Sequence, residues 1–274
     1  MTTGEEPKWW LGPPAPLAVT RMMRALQLAI VVVMATWLFG TLGGVKLSPR
    51  PVPGGNDTGQ LFNWHPLLIT LAFPVLMAEA VLAYKAPLLN LQGDRPRSKA
   101  YHLMLHTAAL LLTILGVVAA FKSHTLKRPA TPNLYSVHSW LGMSVLTLLT
   151  LQYCLGAAAY VFPKLSAAQR RALGPLHTFL GRSIFAAGLA TMAVGIQEKA
   201  TFVQAFAKPA LRSGVMTLPA ALVVLVLLLG IAVLYHHATP AAPAPQQQWE
   251  REEVVSLVEA VEPSTSFDGE AHTA

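Results

Sequence analysis

The chain of 274 residues has almost no cysteine and few charged residues. Its single cysteine, Cys154, lies inside an apolar run, so the chain cannot form an internal disulfide bond. Charged residues make up 12% of the chain, whereas a soluble domain carries about 25%. Since 53% of the residues are apolar and the mean hydropathy is +0.47, we predict an integral membrane protein.

Acidic residues are scarce before the C-terminal tail. From Thr239 onward the chain has seven acidic residues and one basic residue, Arg251, whereas the preceding 238 residues have six acidic and 19 basic ones. In a multi-pass chain, lysines and arginines in loops set the topology and contact lipid headgroups. We therefore expect membrane lipid as a partner, and no nucleic acid, because the sequence contains no soluble basic domain.

Six apolar runs are long enough to form transmembrane helices, since about 20 helical residues span a bilayer. They cover approximately residues 25–43, 63–85, 100–121, 137–160, 177–197 and 215–235. Both termini then lie on one face, where Lys and Arg number 11 against eight on the other, which favours cytoplasmic termini. Residues 1–20 and 238–274 are predicted to be disordered cytoplasmic segments that flank a six-helix domain over residues 21–237.

Four histidines lie near the starts of four consecutive apolar runs. His65, His102, His138 and His177 follow one another at intervals of 37, 36 and 39 residues. Because consecutive helices run in opposite directions, His65 and His138 lie near one membrane face, and His102 and His177 near the other. Facing imidazoles in a helix bundle are ligands for haem iron. The pattern predicts an all-α, six-helix transmembrane protein whose helices 2–5 form a central four-helix bundle holding two b haems.

Three points stay open from the residues alone. His106 lies four residues after His102 on the same helical face, so spacing does not choose between them, although His102 matches the depth of His177. Glu79 and Arg182 are intramembrane charges that pair either with haem propionates or with each other. A lone histidine in an apolar helix is usually structural, so the alternative function is a non-enzymatic transporter or scaffold with structural histidines.

The segments around these histidines resemble the cytochrome b561 family. They are Asn63-Trp64-His65-Pro66, Lys99-Ala-Tyr-His102, Asn133-Leu-Tyr-Ser-Val-His138-Ser-Trp140, Gly174-Pro-Leu-His177 and Gly195-Ile-Gln-Glu198-Lys199, within a similarity over about residues 25–237. The resemblance implies two non-covalent, bis-histidine b haems with the pairing given above. It also implies an oxidoreductase that passes electrons from cytoplasmic ascorbate to monodehydroascorbate or a ferric chelate on the opposite face.

The resemblance also implies roles for individual residues by position. The ligand on the third helix is His102. On the cytoplasmic face Lys85 and Arg95 contact a haem propionate, and the ascorbate site comprises Lys85, Arg95, Lys99 and Arg170. On the opposite face the haem contacts are Asn133, Leu134, Tyr135, Ser136 and Glu198, and His124 contacts the acceptor. The sequence leaves open which membrane holds the protein, whether plasma, vacuolar or lysosomal, or vesicle, and whether it forms a homodimer.

Overall fold

The structure is a computed structural model that describes residues 16–86, 88 and 95–239. In these residues six helices are long and apolar enough to cross a bilayer: α1 (Leu17–Thr41), α2 (Gly59–Leu82), α3 (Arg95–Leu126), α4 (Val137–Tyr160), α5 (Ala167–Ala207) and α6 (Gly214–Ala238). An antiparallel hairpin between α1 and α2 pairs β1 (Arg50–Val52) with β2 (Gly55–Asp57). The predicted helical, multi-pass architecture is confirmed, and the hairpin is an addition to it.

Helices α2 to α5 form the central bundle, and α1 and α6 lie on its outside. Helix α2 packs against α3, α4 packs against α5, and contacts of α3 with α4 and of α5 with α2 close the ring. Helix α1 packs along α6, and both also contact α2. The buried apolar core lies where α1, α2, α5 and α6 meet and includes Trp37, Phe73, Phe185 and Leu222. This core fixes α2 and α5, each of which carries one member of each predicted histidine pair's helices.

Helix α2 is not a regular α-helix along its whole length. It is α-helical over Trp64–Thr70, widens into π-type turns over Leu71–Met77, and is α-helical again over Ala78–Leu82. Pro74 lies in the widened segment. A proline in a regular helix has no N–H to donate, and its ring clashes with the carbonyl four residues earlier. The wider turns accommodate Pro74 and shift the later side chains around the helix axis, which hydropathy alone does not predict.

Helix α5 is much longer than its apolar run. It has 41 residues, which corresponds to about 60 Å of helix, and it begins at Ala167 rather than at the predicted His177. Ser166 starts it with a capping box, in which Gln169 N donates to Ser166 Oγ (3.3 Å) and Ser166 N donates to Gln169 Oε1 (3.0 Å). Because of this cap, Pro175 lies inside the helix instead of marking its start.

The first helix also begins earlier than predicted. Residues 17–20 belong to α1, although the sequence places them in a disordered lead-in. The rest of that lead-in, residues 1–15, and residues 240–274 of the predicted C-terminal tail lie outside the described residues. Helix α3 extends the predicted run at both ends, from Arg95 to Leu126. In each case the added turns are polar or mixed, so a hydropathy criterion passes over them.

The two ends of the bundle differ in structure. We call the end where α1 begins and α6 ends the terminal face, and the opposite end, which carries β1 and β2, the hairpin face. At the hairpin face Asn56 N donates to Arg128 O (3.4 Å), and Asn56 Nδ2 donates to Leu126 O (3.2 Å). The hairpin is therefore attached to the connection between α3 and α4.

Candidate functional site

The four predicted histidines form two facing pairs in the central bundle. At the hairpin face, the ring centroids of His65 on α2 and His138 on α4 are 5.9 Å apart. Towards the terminal face, the centroids of His102 on α3 and His177 on α5 are 6.4 Å apart. The structure thus brings together the same histidines that the alternation of helix direction pairs.

Both separations are suited to one metal ion between two imidazoles. A metal–nitrogen bond is about 2 Å long and the ring centre lies roughly 1.2 Å beyond the nitrogen, so opposed imidazoles have centroids about 6.4 Å apart. Within the described residues, no group of three or more His, Cys, Asp and Glu side chains is arranged to hold a metal ion. The donor set therefore fits a haem iron, which takes two axial ligands from the protein.

The Nδ1 atoms of three of these histidines lie against backbone carbonyls. A carbonyl oxygen accepts only from a protonated Nδ1, so Nε2 keeps its lone pair and is available to a metal. Such hydrogen bonds also fix the orientation of the ring. The pairs are His65 with Gly116 O (3.1 Å), His138 with Thr191 O (3.1 Å) and His102 with Ala80 O (2.8 Å).

His177 has a side-chain partner instead of a carbonyl. Gln152 Nε2 lies 2.9 Å from His177 Nδ1 and 2.6 Å from His177 O, while Gln152 Oε1 is buried without a partner. The two ends of an amide are assigned from the hydrogen-bond network. A flip of the Gln152 amide places Oε1 on Nδ1–H and frees Nε2 of His177 for a metal, as at the other three histidines.

Two glycines give the ligand rings their space. A Cβ added at Gly195 would lie 2.5 Å from Cε1 of His138, and one added at Gly156 would lie 3.1 Å from Cε1 of His177. Real side chains do not approach so closely at Gly195. Gly156 is among the glycines that the sequence predicts to permit a close approach, and Gly195 belongs to the segment quoted for the family resemblance.

His106 lies beside the terminal-face pair without facing His177 as His102 does. Its ring is edge-on to His102 with the centroids 4.5 Å apart, one turn deeper in α3. The pairing geometry therefore favours His102 as the partner of His177, in line with the depth argument.

Three of the four predicted cations at the terminal face bind carbonyls at helix ends. Lys85 Nζ donates to the carbonyls of His237 (2.6 Å) and Thr239, at the end of α6. Lys99 donates to the carbonyl of Tyr160, and Arg170 to that of Leu165. Arg95 is exposed at the start of α3. A cation at a helix C-terminus stabilises the helix dipole, so these side chains have a structural role that the sequence did not predict.

The cations surround two tyrosines that touch the terminal-face histidines. The ring centroid of Tyr84 is 5.6 Å from that of His102, and the centroid of Tyr160 is 5.4 Å from that of His177. Since Lys99 donates to the Tyr160 carbonyl, the cationic rim and the histidine pair belong to one region. The sequence motifs did not single out either tyrosine.

The predicted residues of the hairpin face also come together. His124 Nδ1 is 3.0 Å from Asn133 Oδ1, its ring centroid is 6.0 Å from that of Tyr135, and Ser136 Oγ donates to Glu198 Oε2 (3.3 Å). Leu134, between Asn133 and Tyr135, has a left-handed backbone (φ +55°), which turns the chain at this point. These contacts join α3, the α3–α4 connection and α5.

Tyr135 remains protonated at neutral pH in this setting. Burial raises the pKa of its phenol, and the nearby Glu198 carboxylate raises the pKa further. A free tyrosine already has a pKa near 10, so the hydroxyl is a hydrogen-bond donor at any physiological pH. Half of the side chain is exposed, which makes this donor accessible from the hairpin face.

The two intramembrane charges do not pair with each other. Glu79 forms an ion pair with Arg24 of α1 (Arg24 Nε to Glu79 Oε1, 3.3 Å), and Arg24 Nη2 also donates to Ala86 O (2.8 Å). Arg182 Nε is buried without a hydrogen-bond partner, and its charge lies near His237 at the end of α6. Arg24 appeared in the sequence only as a flanking basic residue, because its partner is 55 positions away.

Comparisons with known proteins place the same residues in one family. The family model for eukaryotic cytochrome b561 matches residues 64–203, which include all four paired histidines. Transmembrane ascorbate ferrireductase 2 of Arabidopsis thaliana is 35% identical over 225 residues, covering 82% of this chain and 93% of that protein. A lysosomal membrane ascorbate-dependent ferrireductase of Bos taurus is 35% identical (77% and 80% covered), and a plasma membrane ascorbate-dependent reductase of Xenopus laevis is 36% identical (66% and 64% covered).

Proposed function

Because the chain belongs to the eukaryotic cytochrome b561 family, we propose that it is an oxidoreductase that moves electrons across a membrane. Ascorbate is the donor, and monodehydroascorbate or a ferric chelate on the opposite face is the acceptor. The observation that carries the proposal is the pair of facing imidazoles near each face, with centroids 5.9 and 6.4 Å apart. A transporter with structural histidines gives no reason for that spacing to occur twice.

Two b haems would be held by these histidines, one by His65 and His138 and the other by His102 and His177. When bound, each haem supplies a one-electron redox centre at one level of the membrane. The protein's own contribution is to fix each imidazole through its Nδ1 hydrogen bond and to leave Nε2 free. His106 lies beside His102 and is not a ligand in this arrangement.

Ascorbate would bind at the terminal face, which we assign to the cytoplasm. Lys85, Arg95, Lys99 and Arg170 give this region positive charge, which attracts the ascorbate anion and a haem propionate. Since three of them already donate to helix-end carbonyls, they act mainly through their field, and the exposed Arg95 is the most accessible direct donor. Ascorbate loses one electron to the chain and one proton to water as it becomes monodehydroascorbate.

The acceptor would bind at the hairpin face, where a haem contacts the segment Asn133–Ser136 and Glu198. His124 and the protonated Tyr135 are the accessible polar groups there. The two faces then have different tasks, with donor oxidation at one and acceptor reduction at the other. We keep residues 21–237 as the redox domain and both flanking segments as cytoplasmic in this proposal, while the identity of the membrane stays open.

The test is an absorbance spectrum of the purified protein before and after ascorbate is added. We expect six-coordinate b-type bands, two haems per chain and reduction by ascorbate. His138→Ala should remove one haem and leave the other reducible, whereas the control His106→Ala should keep both. Loss of both haems in His138→Ala, with helical content preserved by circular dichroism, would contradict the pairing. A colourless protein after addition of haem would return the function to the transporter.

A further inference from the structure

The hairpin face carries a cluster of cations close to the acceptor region. We call Lys122, Lys127, Arg128 and Lys199 the hairpin-face rim. Among the described residues the acidic side chains at this face are Asp57, which pairs with Arg50 (3.0 Å), and Glu198, which accepts from Ser136. The rim therefore keeps an excess of positive charge. Lys122, Lys127 and Arg128 are exposed.

The rim reaches the histidine pair through one aromatic ring. The ammonium of Lys199 lies 4.7 Å from the centroid of the Phe62 ring. That ring is 5.7 Å from the ring of His65 and stacks on His124 at 6.4 Å, with 11° between the planes. A cation over an aromatic face is held by the ring quadrupole. Phe62 thus positions Lys199 and His124 on the same side of the proposed haem ligand.

The β-hairpin holds the most exposed part of the rim in place. Asn56 donates from its backbone N to Arg128 O and from its side chain to Leu126 O. Lys127 lies between these two carbonyls, so the hairpin fixes the backbone on both sides of it. Lys199 interacts electrostatically with Lys127 and with Asp57 of the hairpin. Three segments far apart in sequence therefore present their cations around one opening.

We propose that the hairpin-face rim binds the electron acceptor as an anionic ferric chelate with carboxylate ligands. This inference rests on the proposed function and specifies its acceptor. A singly charged small anion is matched by one or two cations, whereas cations on α3, the α3–α4 connection and α5 suit a larger complex that carries several carboxylates. The chelated ferric ion gains one electron and becomes ferrous, while ascorbate at the terminal face loses one electron and one proton.

Binding is tested with the haem-loaded protein and gallium(III) citrate, which has the charge of a ferric complex but is not reduced. Lys127→Glu should weaken binding about tenfold at low ionic strength, with a smaller effect at high salt, because exposed charges are screened. Lys122→Glu is the second variant. The matched control is Arg212→Glu, which makes the same charge change at an exposed position of the α5–α6 connection and should leave binding nearly unchanged.

Electron transfer gives an independent readout. The ascorbate-reduced wild type should be reoxidised faster by ferric citrate than by a cationic ferric chelate, and Lys127→Glu should reduce this difference. Equal rates with both chelates, equal weakening by Arg212→Glu, or full reoxidation by monodehydroascorbate with no binding of gallium citrate would each overturn the inference. If ascorbate does not reduce the protein at all, the proposed function itself fails, and the two failures are thus distinguishable.

Discussion

At the scale of single residues, the orientation of each histidine depends on a partner that no motif contains. Ala80, Gly116 and Thr191 contribute carbonyl oxygens, which any residue type provides. Only Gln152, the partner of His177, acts through its side chain. The terminal-face pair therefore has one contact that mutation can tune without touching a ligand.

Substitution of Gln152 should change the reduction potential of the terminal-face haem. With Oε1 accepting from His177 Nδ1–H, Gln152→Glu strengthens the acceptor, makes the imidazole more basic and lowers the potential. Gln152→Leu removes the acceptor and should raise the potential, each by an amount on the order of tens of millivolts. A spectroscopic redox titration resolves the two haems. The hairpin-face haem is the internal control, and unchanged potentials in both variants would count against this hydrogen bond.

Gly195 is the residue at which the smallest change should have the largest local effect. A methyl group there would lie 2.5 Å from His138, so Gly195→Ala should displace that imidazole and lower the occupancy of the hairpin-face haem. Haem content measured by absorbance against protein concentration reports the loss. Gly142→Ala, on the same bundle but with 3.9 Å to its nearest atom, should keep both haems.

At the scale of secondary-structure elements, α1 is attached to the bundle by a charge pair. Glu79 on α2 is nearly buried, and Arg24 supplies its charge partner and a hydrogen bond to Ala86 O. Removal of one partner from a buried pair leaves an uncompensated charge, which costs more than removal of both. The pair also lies next to Ala80, whose carbonyl orients His102. The position of α1 is therefore connected to the geometry of the terminal-face site.

Arg24→Met should destabilise the fold by about 2–3 kcal/mol, below the value for a fully buried pair because 30% of the Arg24 side chain is exposed. The double variant Arg24→Met/Glu79→Met should recover most of this loss. Thermal unfolding in detergent, followed by haem absorbance and circular dichroism, measures both. Additive losses in the double variant would show that the two side chains are not coupled.

The hairpin is the second element with a specific task. A side chain at Gly55 would overlap the carbonyl oxygen of Arg128, so the hairpin and the α3–α4 connection approach each other only because this residue is glycine. Gly55→Val should detach the hairpin and weaken binding of gallium citrate as Lys127→Glu does, with both haems retained. Gly54, where no atom lies within 4 Å of the added Cβ but φ is +76°, is a poor control, so Leu47→Ala, an exposed position in the same connection, serves instead.

At the scale of the whole molecule, the two histidine pairs lie towards opposite ends of one bundle, and each end has its own set of polar groups. This arrangement gives the protein a direction. Vesicles loaded with ascorbate and carrying the protein with its terminal face inwards should reduce an external ferric chelate that does not cross the bilayer. Vesicles with His102→Ala should lose this transfer. Equal reduction without internal ascorbate would show that the electrons do not cross the membrane.

The sequence by itself determined the number of helices, the bundle of α2 to α5 and the grouping of the four histidines. These follow from apolar run length and from alternation of helix direction, which are local properties plus one topological rule. The residues Asn133, Tyr135 and Glu198 of the hairpin face were also found from sequence, by resemblance.

Only the tertiary structure decided which groups those residues meet. The partner of Glu79 is Arg24 rather than Arg182, and Lys85 and Lys99 donate to helix ends before they meet any ligand. The contacts of Asn56 with the α3–α4 connection join residues 70 or more positions apart. Such pairings depend on helix rotation, on the widened turns around Pro74 and on caps such as Ser166. Hydropathy does not record these features, because it measures transfer to lipid and not the direction in which a side chain points.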